Sequence, residues 1–127
     1  KKMGMGNVKG KVLPKVSLLS KSVNKNSIIS RYFTPYSCHE THAVTGTCCV
    51  ASSCLIPGTV GFKLLNKKDS LNFNSEIIKI EHPMGSIDCI IVLNSNFNNN
   101  LVSKKDLVKS CGIFRTSRIL MKGQVYF

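Results

Sequence analysis

The run Thr45-Gly46-Thr47-Cys48-Cys49-Val50-Ala51-Ser52-Ser53-Cys54-Leu55-Ile56, closed by Pro57-Gly58, decides how the rest of the chain is read. Thr45 or Thr47 can cap a helix start, and Pro57 with Gly58 stops one. The side chains are apolar or small all the way round, which predicts a helix buried on every side. At 1.5 Å per residue, ten residues give about 15 Å, enough to thread a small barrel or sandwich. Ser52 and Ser53, if buried, have to return their hydroxyls to helix carbonyls.

Working outward, the flanks read as strands. Before the helix, an apolar run from Val12 to Ser20 is interrupted by Pro14, and a polar turn from Ser22 leads to a second run from Ser27 to Phe33. After it, Glu76 to Glu81 opposes Ile78 and Ile80 to Lys79 and Glu81. His82-Pro83-Met84-Gly85 has turn chemistry, with proline second and glycine fourth. Ser86 to Leu93 then returns with Ile87, Cys89, Ile91 and Leu93 on one face, which predicts a hairpin. Val108 to Thr116 and Val125 to Phe127 are further strand candidates. Residues 1–12, rich in lysine and glycine, read as a linker or the end of a preceding element, and Asn94 to Asn100 as an asparagine-rich loop. The expectation is several strands around one short apolar helix.

At 127 residues one domain is the default. With 43% apolar and 19% charged residues the chain suits a packed core and not wholesale disorder. No apolar run approaches the ~18 residues needed to span a bilayer, so no membrane helix is expected. Lys1 rather than methionine opens the chain and no secretory leader is visible, so a fragment in a reducing, cytoplasmic setting is expected. Net charge is +12, and no acidic residue precedes Glu40. That balance attracts nucleic acid or anionic substrates. Yet lysine outnumbers arginine 15 to 3, asparagine and isoleucine occur 11 times each, and alanine only twice. This skew reads as a genome-wide bias, and without aromatic residues interleaved for stacking, nucleic acid is disfavoured as a partner.

Six cysteines could suggest a disulfide framework. However, Cys48 and Cys49 are adjacent, and Cys49 and Cys54 lie in the apolar helix, where cysteine acts as a small core residue. Cys38-His39-Glu40-Thr41-His42 followed by Cys48-Cys49 matches neither half of the usual zinc spacing, so no metal is expected there. The helix start at Thr45, Gly46 and Thr47 is the most informative candidate site. Unpaired N–H groups and a partial positive charge bind carboxylates or phosphates there, and Gly46 lets a ligand approach the backbone; an ordinary threonine cap is the bland alternative. His82 and the turn backbone could face a ligand, and Arg115 and Arg118 could pair a carboxylate, although a solvated strand end explains the arginines more simply.

Together these segments resemble the C-terminal half of the PrpF-type isomerases, the aconitate, methylitaconate and oxalomesaconate isomerase group of the diaminopimelate-epimerase-like superfamily. The residues that carry the resemblance are Lys2-Met3-Gly4-Met5-Gly6, Arg31-Tyr32-Phe33-Thr34-Pro35, His39, His42-Ala43-Val44-Thr45-Gly46 and Ile56-Pro57-Gly58-Thr59. His82-Pro83-x-Gly85 follows, then Arg115-Thr116-Ser117-Arg118 and Leu120-Met121-Lys122-Gly123. The resemblance spans nearly the whole chain in order. It implies an α+β fold with a barrel-like, mostly antiparallel sheet wrapped around one buried central helix, and makes residues 13–127 a C-terminal isomerase domain.

It also implies a cofactor-independent shift of a double bond in a small unsaturated di- or tricarboxylic acid. His39, His42, Thr45, Gly46, Thr47, His82 and Gly85 are then substrate-binding, no residue of this chain is catalytic, and no metal is held. The acid and base are expected on an N-terminal domain of the same enzyme, which is the partner of this half. The family commonly has serine where this chain has Met84, so one hydroxyl that could touch substrate is missing. A non-catalytic binding module of the same fold and a basic nucleic-acid-binding domain are the competing readings.

Overall fold

A computed structural model describes residues 3–66, 74–94 and 106–127. The elements in chain order are β1 (Val16–Lys21), β2 (Ser27–Phe33), α1 (Val44–Ser53), α2 (Val60–Leu65), β3 (Ser75–His82), β4 (Gly85–Leu93) and β5 (Val108–Ile113). The five strands form one sheet in the order β1-β2-β3-β4-β5. The β2–β3 pair is parallel, and the other three pairs are antiparallel. Adjacent parallel strands need a crossover, and both helices lie in it.

Period-two alternation sorts the strands into faces. Ile28, Ile78, Ile80, Cys89 and Ile91 are fully buried on one face, with Ile87 and Leu93 nearly so. Val50, Ala51, Cys54 and Leu55 close the core over them. The other face is polar around Arg31, Lys79 and Glu81, where Lys79 pairs with Asp88 at 3.6 Å. Glu81 accepts hydrogen bonds from Asn24, Ser27 and Ser22, fastening the β1–β2 turn to β3. Those bonds hold its carboxyl down to about 2.

The sequence expectations need several corrections. Helix α1 is not buried on every side: Gly46, Thr47, Val50 and Ala51 face the sheet, while Val44, Thr45 and Cys49 are exposed. Among the described residues the sheet is open, with β1 and β5 as edges, so it covers only one side of the helix. The same geometry exposes Cys49, which therefore is not a core residue as Cys54 is. The helix cap is Ala43, not Thr45 or Thr47. Both threonines lie inside the first turn, and Thr47 turns inward. No strand forms over Val125 to Phe127: these residues are exposed and have no ladder partner. The asparagine-rich loop falls, apart from Asn94, outside the described residues.

Helix α1 gives way to a turn before Pro57. The Cys54 N–H reaches both Val50 and Ala51 carbonyls, and the Ser53 hydroxyl donates to the Val50 carbonyl, as a half-buried serine must. Thr59 then caps α2, accepting from the Phe62 N–H at 3.2 Å.

Candidate functional site

Four segments meet at one corner: the end of β2, residues 34–42, the start of α1 and the β3–β4 turn. The connecting residues are pinned at both ends. The His39 N–H donates to the Tyr32 carbonyl at 2.7 Å, and the Met84 N–H donates to the Glu40 carbonyl at 3.2 Å. Gly85, opposite His82 in the hairpin, has φ +135°, which a side chain rarely adopts, so the turn itself requires glycine.

His42 is the buried pivot of this corner. Its Nε2 lies 3.0 Å from the Ser30 hydroxyl and its Nδ1 3.1 Å from the Thr47 hydroxyl, with Ser30 and Thr47 both fully buried. Thr47 also donates to the Ala43 carbonyl at 3.0 Å. The bonds are mutually consistent when Nδ1 carries the proton: Nδ1–H then points at the Thr47 oxygen, and the Ser30 hydroxyl donates to Nε2 (the tautomer is assigned from these partners). Tyr32 lies against the imidazole, with ring centroids 4.6 Å apart. Burial pushes the His42 pKa down, the Ala43 carbonyl opposes this, and positive charge on His82 or His39 would add to the depression. His42 is therefore neutral near pH 7, with both ring nitrogens engaged inside the protein.

Helix α1 begins without a side-chain cap. Its first intrahelical bond runs from Thr47 N–H to the Ala43 carbonyl at 2.8 Å, so the N–H groups of Val44, Thr45 and Gly46 have no intrahelical acceptor. Thr45 and Gly46 line a groove of about 380 Å³ with Lys15, Ser17, Tyr32 and Cys49. A Cβ built on Gly46 would stand 2.6 Å from Cε2 of Tyr32. The Tyr32 ring is thus what requires glycine at this position. Lys15 and Tyr32 were not picked out as site residues from sequence, although Tyr32 belongs to the Arg31-Tyr32-Phe33 motif that could have flagged it.

His82 and Gly85 lie elsewhere, in a groove of about 390 Å³ shared with Asn24, Ile29, Arg31, Lys79, Glu81 and Ser86. Burial lowers the His82 pKa, the Glu40 carbonyl opposes this, and Arg31 and His39 lower it further. His39 is exposed, its Nδ1 accepting from the Thr41 N–H at 3.2 Å. Arg115 opens a third groove with Ser86 and Asp88, while Arg118 is exposed beyond β5. Thr45 and Gly46 are thus brought together in one groove, His82 and Gly85 in another, with His42 and Thr47 buried behind the first.

An open five-stranded sheet carrying its helices on one face defines an α+β protein. The chain belongs to the PrpF family, which it matches over residues 7–127. It is 34% identical over 126 residues to the Escherichia coli protein named "Putative isomerase YbhH", covering 99% of this chain and 32% of that one. It is 32% identical over 124 residues to the 4-oxalomesaconate tautomerase of Pseudomonas putida, covering 98% and 31%. Against the 3-methylitaconate isomerase of Eubacterium barkeri it is 28% identical over 99 residues, 78% and 22% of the two chains. The chain spans about a third of the length of the first two of these relatives.

Proposed function

We propose that these residues, with 13–127 as the C-terminal domain, form the carboxylate-gripping half of a cofactor-independent isomerase. The enzyme would move a double bond within an unsaturated di- or tricarboxylic acid by allylic proton transfer. The observation that carries this reading is the uncapped start of α1, where Thr45 and Gly46, whose backbone N–H groups lack an intrahelical acceptor, line a groove that also holds Lys15. The relatives named for oxalomesaconate and methylitaconate support the substrate class.

Removing an allylic proton spreads negative charge toward a conjugated carboxylate. Fixed N–H donors aimed at that carboxylate stabilise the charge as it develops, without reorganising. Tyr32 forms one wall, and His42 holds Thr47 and so the first helical turn in place. The second groove would meet another carboxyl group: His82 is held neutral near pH 7 and suits hydrogen bonding, while Arg31 supplies charge. Met84 leaves that turn without a hydroxyl. The acid and base belong to an N-terminal domain that would close the cleft and exclude water. The open side of α1 and the edges β1 and β5 leave room for the barrel-like wrapping expected of such a domain, and the enzyme would work in the cytoplasm.

Residues 1–127 alone are expected to show no turnover of trans-aconitate or methylitaconate, and to gain it when mixed with the N-terminal part of a PrpF relative. Turnover by residues 1–127 alone, removed by His39→Ala, would place the chemistry here and overturn the division of labour.

A further inference from the structure

We propose that Cys48, Cys89 and Cys111 form a three-coordinate thiolate site for a soft monovalent cation of the copper(I) class. The three residues are far apart in sequence and come from three elements: Cys48 from α1, Cys89 from β4 and Cys111 from β5. The β4–β5 register sets Cys89 opposite Ile113 and Cys111 opposite Ile91, so the two strand cysteines are diagonal neighbours on the helix-facing side. Helix α1 supplies the third thiol from above. The Sγ atoms of Cys89 and Cys111 are 3.2 Å apart, and all three sulfurs lie within 4.8 Å of one another.

A cation about 2.3 Å from each sulfur, in their plane, sets the sulfurs roughly 4 Å apart. That spacing falls between the closest pair and the outer limit, so small side-chain rotations suffice.

The donor set chooses the ion. Structural zinc takes four ligands, and among the described residues no further cysteine, histidine or carboxylate joins the three. An all-sulfur, three-coordinate set favours a soft ion over zinc, calcium or magnesium. The setting selects in the same direction. Cys89 is fully buried, and a soft monovalent ion enters such a setting at less desolvation cost than a divalent one. Cys48 and Cys111 are only half-buried, which leaves a path inward. Packing as a small apolar side chain accounts for Cys54, which stands apart from the cluster; it does not account for three sulfurs converging from three elements.

The test is an anaerobic copper(I) titration of the intact protein against the chelator bathocuproine disulfonate. The exposed Cys38 and Cys49 are first replaced by serine in all samples, to remove adventitious thiols. One copper(I) per chain is expected, with a thiolate-to-copper charge-transfer band in the near ultraviolet. Cys111→Ser should weaken retention at least about tenfold, and Cys54→Ala, which keeps that core position small and apolar, should leave it unchanged. Cys111 is used because a substitution at the fully buried Cys89 can unfold the chain; circular dichroism verifies that each variant is folded. Loss of all copper to the chelator, equal retention by folded Cys111→Ser, or equal retention of zinc would each overturn the proposal.

Discussion

His42→Ala is expected to lower stability by about 2–4 kcal/mol, read as a fall in the urea midpoint with an unchanged slope. The imidazole gives Ser30 its side-chain partner, and removing it strands a fully buried hydroxyl, worth about 1–3 kcal/mol. It also leaves a cavity against Tyr32, whose ring packs on the imidazole at a tilt of 37°. Thr47 suffers less, because its hydroxyl keeps the Ala43 carbonyl.

The same residue sets a pH dependence. Its folded pKa lies below the ordinary 6.5, chiefly through burial. Above that value His42 is neutral in both states and contributes no slope. As pH falls below 6.5 the unfolded chain takes up the proton first, so stability drops until the depressed folded pKa is reached. His82, lowered in the same way, adds to the effect. His42→Ala should therefore flatten the stability curve below about pH 6.5. An unchanged urea midpoint and an unchanged pH dependence would show that the imidazole is not the buried pivot of this corner.

Gly46→Val should be nearly as damaging, losing about 2–3 kcal/mol and distorting the groove. The cause is space and not backbone conformation. The first added carbon already meets two ring carbons and the hydroxyl oxygen of Tyr32 at 2.6 to 3.0 Å, and that ring is buried against His42. Overpacking of this kind costs about 1–3 kcal/mol, and valine gains less than alanine from helix propensity. A double-mutant cycle isolates the cause. In a Tyr32→Leu background the penalty of Gly46→Val should shrink markedly, because the obstructing ring is gone. An equal penalty in both backgrounds would mean that Gly46 is needed for some other reason.

Much of the fold was legible because its strands alternate cleanly. Ser27 to Phe33 was read at its observed bounds, and the β3–β4 hairpin within one residue at each strand end. The one-sided burial of α1 was not legible. Small side chains all round a helix are compatible with a full wrap or with close packing on a single sheet, and composition cannot separate the two. Helix α2 was missed because six residues are too few for a 3.6-residue period; the threonine after Pro57-Gly58 was its one available signal.

The parallel β2–β3 pairing is a long-range choice with no local signature. The site was legible only as a set of neighbours in sequence. Nothing in the spacing told that His42 and Thr47 turn inward while Thr45 faces a groove, or that His82 lines a different one. Cys48, Cys89 and Cys111 meet only through the fold.

We propose that the start of α1 grips a substrate carboxylate. It is tested most directly by titrating the protein with cis-aconitate and following backbone amides by ¹⁵N–¹H NMR. Saturable shifts concentrated at Val44, Thr45 and Gly46, absent with an uncharged ester of the same acid, are predicted. Saturable shifts elsewhere with these three amides unmoved would contradict it.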